Sequence, residues 1–156
     1  MSTIKPIPDG FHAITPYLSI KDANAAIQFY QRVFGAKVIG RISMPGGIVG
    51  HAELQIGDAR IMLAEEMPEW GNKSPTTLGG SPVGIALYVA DVDATYQRAL
   101  DAGAKQIEPV KDQFFGDRSG TLLDPFWHKW HILTHIEDMS FAEMQKRCDA
   151  MFAEKK

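Results

Sequence analysis

The sequence predicts an α+β fold: two tandem βαβββ units forming a concave mixed sheet, followed by a C-terminal helix. Three observations predict it. Residues 17–39, YLSIKDANAAIQFYQRVFGAKVI, overlay residues 86–107, ALYVADVDATYQRALDAGAKQI, with identities at Leu18/Leu87, Asp22/Asp91, Ala25/Ala94, Gln28/Gln97, Gly35/Gly103, Ala36/Ala104, Lys37/Lys105 and Ile39/Ile107. Self-similarity at a fixed spacing marks a repeated supersecondary unit. In both copies an Asp precedes a run of helical periodicity and a Gly ends it, as N-caps and left-handed stops do. Gly57-Asp58 between two alternating runs is a two-residue hairpin signal.

The elements follow in order. Met1–Phe11, with Pro6, Pro8 and Gly10, reads as an irregular arm. Alternation then places Ile14, Leu18 and Ile20 on one side of a strand and Thr15, Tyr17 and Ser19 on the other. Asp22 caps a helix whose Ala26, Ile27, Tyr30, Val33 and Phe34 share one face, stopped at Gly35. Strands are expected near 37–43, 48–56 and 59–64, the first turning at Pro45-Gly46-Gly47. In the second unit Ile85, Leu87 and Val89 form the buried side of a strand. Asp91 caps a helix carrying Val92, Tyr96, Ala99 and Leu100, and strands near 105–110, 118–123 and 129–135 complete it, with Asp124-Pro125 as the last turn. Glu65–Pro82, rich in Gly, Pro, Ser and Thr, is read as a structureless lid, binding loop or linker. Ser140-x-x-Glu143 is a capping box opening a helix over about 140–153. Its Phe141, Met144, Cys148, Met151 and Phe152 share a face that needs a partner surface. The whole chain, 1–156, is expected to be one domain: unit one about 12–64, loop 65–82, unit two about 83–135, and the final helix.

Composition excludes several function classes. The 156 residues are 45% hydrophobic and 22% charged, values of a globular chain. A net charge of −3 without any Lys/Arg run argues against nucleic acid. Cys148 alone excludes a disulfide framework and a Cys-rich zinc site, and fits a reducing cytoplasm. No apolar run approaches the roughly 18 residues of a membrane span. The expectation is a soluble cytoplasmic protein whose partner is a small molecule.

Candidate functional residues come from strand alternation. Ala52, Leu54 and Ile56 form the helix-facing set of one strand, leaving His51, Glu53 and Gln55 on the other face. In the last strand Trp130, Ile132 and Thr134 alternate against Lys129, His131, Leu133 and His135. Two readings stay open: a polar pocket offering imidazole and carboxylate as proton carriers or metal ligands, or the solvated outer face of an antiparallel sheet. No nucleophile motif appears, and Cys148 belongs to an apolar helix stripe. Gly79-Gly80-Ser81 and Pro45-Gly46-Gly47 are turns, not phosphate loops. His128 and His131 point to opposite faces of a strand. His12 stands at the junction of arm and strand. Trp70 either stacks on a ligand or pins its loop.

The duplicated βαβββ, the FYQRVFGA helix end at 29–36 and Asp124-Pro125-Phe126 resemble the vicinal oxygen chelate superfamily (glyoxalase, bleomycin resistance, extradiol dioxygenase). TPYLSIKDANAAIQFY, HAELQIGDARIMLAEE and GDRSGTLLDPFWHKW resemble its PhnB-like subgroup. The resemblance spans about 11–152 and implies a homodimer with a ligand in a concave cleft. It also implies, for the metal enzymes, one ligand from the first and last strand of each unit. Here those positions are Thr15, Met62, Gly84 and His131, of which only His131 ligates a divalent metal well. No cofactor is therefore expected. The alternative is a divalent Zn, Ni, Mn or Fe ion held by a displaced set of His51, Glu53 and His131. Trp127 stands where the family usually has Gly.

Two functions compete. One is binding of a small molecule by a cleft walled by Tyr17, Tyr88, Trp70, His51 and Glu53, with His131 and Arg118 as further ligand contacts. The other is a glyoxalase-like lyase or isomerase in which Glu53 or His51 moves a proton beside a carbonyl, with Arg60, Arg118 or backbone donors stabilising the charge.

Overall fold

The computed structural model describes residues 3–155; Met1, Ser2 and Lys156 lie outside the described residues. The chain divides into two compact units, Met1–Ser81 and Pro82–Lys156. Unit one runs β1 (Tyr17–Ile20), α1 (Ala23–Phe34), β2 (Lys37–Met44), β3 (Ile48–Ile56) and β4 (Ala59–Glu65), then the short helix α2 (Pro75–Leu78). Unit two runs β5 (Gly84–Tyr88), α3 (Val92–Asp101), β6 (Lys105–Asp112), β7 (Asp117–Leu123), β8 (Lys129–His135) and the terminal helix α4 (Phe141–Ala153). Each unit carries a four-stranded sheet, ordered β1-β4-β3-β2 and β5-β8-β7-β6. The first and last strand of each unit pair in parallel and the other pairs are antiparallel. This is the α+β, twice-repeated βαβββ arrangement with a C-terminal helix.

Local chemistry explains the repeated start of each unit. The Asp22 carboxylate accepts the Ala25 amide and the Asp91 carboxylate accepts the Ala94 amide, so each helix has a partner for one of its orphan donors. A second cap comes from the sheet. Glu65, at the end of β4, accepts the amides of Asp22 and Ala23 at 2.9 and 2.7 Å. In unit two the Thr134 hydroxyl of β8 accepts the Val92 amide at 2.9 Å. Ala23 and Val92 are equivalent in the repeat, so two different side chains do one job.

One face of each sheet is closed by its helix. In unit one Ala26, Ile27, Tyr30 and Val33 of α1 are buried with Leu18, Ile20, Ala52, Leu54, Ile61 and Leu63 of the sheet. In unit two Val92, Tyr96 and Ala99 are buried with Leu122, Trp130 and Ile132. The Tyr96 hydroxyl donates to the Glu108 and Thr121 carbonyls, which supplies the partner a buried phenol needs. Its ring lies so close to β7 that a Cβ at Gly120 would stand 2.8 Å from it.

Three expectations change. The first strand begins at Tyr17, after Pro16, and Ile14 is 87% exposed, so Ile14 does not join the buried side. Residues 65–82 are not structureless. Pro68–Trp70 forms a 3-10 turn, Met67 bridges to Asn72, and Ser74 caps α2. The Glu66 carboxylate organises this segment by accepting from the Ser74 amide and the Thr77 hydroxyl, and those bonds, the amide's above all, hold its pKa below the usual carboxylate value. In α4 the Ser140 hydroxyl accepts the Glu143 amide, while the Glu143 side chain pairs with Arg147. None of the helix's residues is buried: Met144 and Cys148 are half-buried, and Phe141 is 88% exposed. No helix among the described residues is long and apolar enough to cross a membrane.

Candidate functional site

The faces not covered by helices carry the polar residues. On β3, Val49, Ala52, Leu54 and Ile56 are buried, and His51, Glu53 and Gln55 stand half-buried on the opposite side. Register places Glu53 beside Met62, and Met62 beside Tyr17. Tyr17 and His51 meet through the hydroxyl and Nδ1 at 2.9 Å, their rings 5.5 Å apart. His51 Nε2 lies 3.5 Å from Glu53 Oε1, and Arg60 Nη1 lies 4.0 Å from Glu53 Oε2. Arg60 Nε donates to Gln55 Oε1 at 3.1 Å. Phenol, imidazole and carboxylate thus form one chain, the arrangement through which a proton can be relayed, and the Arg60 guanidinium stands beside its carboxylate end as a charge partner.

The N-terminal arm lies against this face. The Arg60 guanidinium sits 4.6 Å from the centre of the Phe11 ring, a cation–π contact. Gly10 has φ +85°, and a Cβ there would overlap the Arg60 guanidinium, so glycine answers both the conformation and the close approach. Between arm and sheet is a recess of about 270 Å³ lined by Pro6, Phe11, His12, Thr15, Glu53 and Met62 among others. Most of its wall is apolar, and Glu53 is the carboxylate it contains.

Unit two has a different network. Asp117, only 4% exposed, accepts the Tyr88 hydroxyl through Oδ2 at 2.7 Å and holds His135 Nδ1 at 2.7 Å through Oδ1. His135 Nε2 reaches Asp138 at 2.8 Å. Donation to Asp117 holds the Tyr88 phenol above its usual pKa, and the hydrogen bonds to Asp117 and then Asp138 raise that of His135. Asp117 was not singled out by the sequence: it precedes the expected strand 118–123, and only pairing with β8 brings it to His135. The one available signal was the repeated alternation of His131 and His135 on the same side of β8. Elsewhere on this face, His131 Nδ1 bonds the Thr121 hydroxyl at 3.0 Å, and a Cβ at Gly84 would stand 2.6 Å from His131 Nε2.

Arg118, expected as a ligand contact, lies on the other side of its strand from His131 and His135. Its register partner is Thr134, whose hydroxyl caps α3, so the side chain lies on the helix side of β7. There it donates to Asp93 at 2.8 and 2.9 Å and to Asp112 at 3.0 Å. Trp70 is 69% exposed and does not line the recess beside Glu53. Tyr17, His51 and Glu53 are brought together; Tyr88 and His131 stand on the open face of unit two.

The family-marking turn before β8 is built by Asp124. Its Oδ1 accepts the Phe126 and His128 amides, and its Oδ2 the indole of Trp130, each at 2.9 Å. Trp127 adopts φ +69°, which accounts for glycine being the ordinary residue at such a position.

The metal positions implied by the resemblance do not make a ligand set. Register makes Met62 and His131 equivalent, facing Tyr17 and Ala86. A thioether, a hydroxyl at Thr15, no side chain at Gly84 and one imidazole do not supply the His and carboxylate donors of a divalent-metal centre. The space a side chain at Gly84 would fill holds the His131 ring itself. Among the described residues no three His, Cys, Asp or Glu side chains converge as a metal ion requires.

Comparison with known proteins gives a family. A sequence profile for the Glyoxalase/Bleomycin resistance protein/Dioxygenase superfamily matches residues 10–132. An uncharacterised protein of Mycobacterium bovis is 43% identical over 136 residues, covering 85% of this chain and 90% of its own length. The fold is similar to that of TioX from Micromonospora sp. ML1, with a TM-score of 0.62 and 25% identity, over 83% of this chain and 100% of that one. It is also similar to the fosfomycin resistance protein FosX of Listeria monocytogenes, solved with Mn(II) and sulfate. There the TM-score is 0.62 and the identity 22%, over 87% of this chain and 96% of that one. The repeat, the two sheets and a match over most of its length agree: the chain belongs to the Glyoxalase/Bleomycin resistance protein/Dioxygenase superfamily.

Proposed function

We propose that this protein binds a small organic molecule on the open face of unit one, without the His and Glu metal site used by enzymes of the superfamily. The observation that carries the reading is the recess between the arm and β3, of about 270 Å³, with Glu53 set in a mostly apolar wall. Sites of this kind take an apolar body and orient it by one polar group. The volume suits a ligand near the size of a single substituted ring, presenting a hydroxyl or amine to Glu53. Tyr17 and His51 extend the polar wall beyond it. In keeping with the resemblance, the protein is proposed to be a cytoplasmic homodimer of the PhnB-like subgroup; light scattering at a dimer mass tests the assembly. Calorimetric titration with benzyl alcohol and benzylamine tests the site. Affinity is expected to fall roughly tenfold or more in Glu53→Gln, as loss of a hydrogen bond to a charged group predicts. Equal affinity in both proteins would reject Glu53 as the orienting group.

A second reading, a glyoxalase-like lyase or isomerase, is favoured by the Tyr17–His51–Glu53 chain. Deleting a general base costs about 10²–10⁴ in rate, so Glu53→Gln separates the two readings. Unchanged turnover in that variant would reject Glu53 as the base.

A further inference from the structure

We propose that His135 is a proton-operated tether for the C-terminal helix: as the imidazolium it joins buried Asp117 of β7 to Asp138 of the linker before α4, and loss of its proton releases linker and helix. Nothing in this tether involves the recess beside Glu53.

Both ring nitrogens of His135 face carboxylates. Nδ1 lies 2.7 Å from Asp117 Oδ1, and Nε2 lies 2.8 Å from Asp138 Oδ1. An ionised carboxylate only accepts, and a neutral imidazole has one N–H, so both bonds exist together in the doubly protonated ring. Asp117 is 4% exposed, whereas Asp138 is fully exposed. When the ring becomes neutral its remaining N–H stays with Asp117, because a buried charge is costly without its donors. A bare nitrogen lone pair then faces Asp138. That contact turns from attraction to repulsion, and water takes the carboxylate.

The helix depends on such a tether. None of its residues is buried, and at 13 residues it is marginal in water by itself. Among the described residues, polar contacts of three kinds hold it through its linker. The Gly116 carbonyl accepts the Ile136 and Glu137 amides at 2.9 and 3.0 Å. Gly116 permits the approach, since a Cβ there would overlap the Glu137 carbonyl. Arg147 of α4 donates to Glu137 at 2.8 and 3.0 Å. The third contact is Asp138 with His135. Backbone bonds do not titrate, and the Arg147–Glu137 pair lowers the pKa of Glu137 and raises that of Arg147, so both keep their charges near neutrality. The contact at His135 is the one that changes there.

The other groups around His135 leave the proton to it. On β5, Tyr88 donates to Asp117 Oδ2 at 2.7 Å, and that bond raises the phenol's pKa, so it stays protonated. On β7, Arg118 is turned to the helix side by Asp93 and Asp112. On β8, His131 is bonded to Thr121. Asp117 first, then Asp138, raises the pKa of His135. The tether is therefore complete below the free value of about 6.5 and is lost as pH rises through the higher folded value.

The test is methyl NMR of the whole chain labelled with [¹³C-methyl]methionine, from about pH 5.5 to 9, with the His135 ring shifts followed in parallel. Met139 reports on the linker, and Met144 and Met151 on α4. These three methyls are expected to lose order together along the His135 titration, with a midpoint above about 6.5. Asp138→Ala should show the released state at the acid end already, while Met44 and Met62 of unit one keep their order. His135→Gln, which does not titrate, should give the same methyl order at both ends of the range. Unchanged order across the range in wild type would overturn the proposal. So would a change that persists in His135→Gln, or wild-type order at the acid end in Asp138→Ala.

Discussion

Asp124→Asn isolates one hydrogen bond in the turn that launches β8. Asp124 is 2% exposed. Oδ1 accepts two backbone amides, and Oδ2 accepts the indole of Trp130, itself 1% exposed. Asparagine keeps an oxygen at the Oδ1 position and puts an NH₂ group where Oδ2 was, so two donors then face each other in a dry site. Each buried donor left without an acceptor costs about 1–3 kcal/mol, so the pair costs about 2–4 kcal/mol once partial relaxation is allowed. For a domain of this size that is a fall in melting temperature of roughly 5–15 °C. Asp124→Ala strands all three donors and is expected to cost about 3–5 kcal/mol, since a buried network is broken by removing one side of it. Urea unfolding of Asp124→Asn, Trp130→Phe and the double variant gives the decisive cycle. The Asp124→Asn cost should shrink by about 1–3 kcal/mol once the indole donor is gone. A single-variant cost under about 0.5 kcal/mol, or strict additivity in the cycle, would refute this reasoning.

Three further outcomes are expected. His135 has its pKa raised, first by Asp117 and then by Asp138. Its contribution to stability is therefore full below the unfolded value of about 6.5 and is lost as pH rises through the higher folded value; the urea midpoint of wild type minus that of His135→Gln, followed from pH 5.5 to 9 (about one unit below to two above that value), should decline across this window. Glu65→Ala removes the acceptor for the Asp22 and Ala23 amides and should cost about 1–2 kcal/mol in urea unfolding, as loss of a helix cap does. Arg118→Gln should leave the benzylamine titration unchanged, because the guanidinium is engaged by Asp93 and Asp112 on the helix side.

The elements set by short-range chemistry were legible in the sequence. The caps at Asp22 and Asp91, the Gly57-Asp58 hairpin and the span Ile48–Ile56 follow from local geometry and period-two burial. The repeat added the succession of elements, a strand, a helix and three strands in each unit. What stayed hidden depends on pairing across long separations. Arg118 was read as a ligand contact, and which side of β7 it takes is decided only by register with Thr134. Residues 65–82 looked structureless because their order comes from Glu66 reaching Ser74 and Thr77, which leaves no periodic trace.

At the candidate site, alternation alone put His51, Glu53 and Gln55 on one face, and the structure joins the first two to Tyr17. It could not show that the arm returns over that face, since the contact between Phe11 and Arg60 joins residues far apart in sequence. Nor could it find Asp117, a lone acid at a strand edge whose role appears only when Tyr88 and His135 are placed beside it.

The most direct measurement is an amide-resolved NMR titration of the ¹⁵N-labelled protein and of Glu53→Gln with benzylamine. Binding beside Glu53 predicts saturable movement of the Phe11, Ala13, Thr15, Glu53 and Met62 amides, weakened roughly tenfold or more in the variant. Movement confined to other residues, or identical curves for the two proteins, would contradict it.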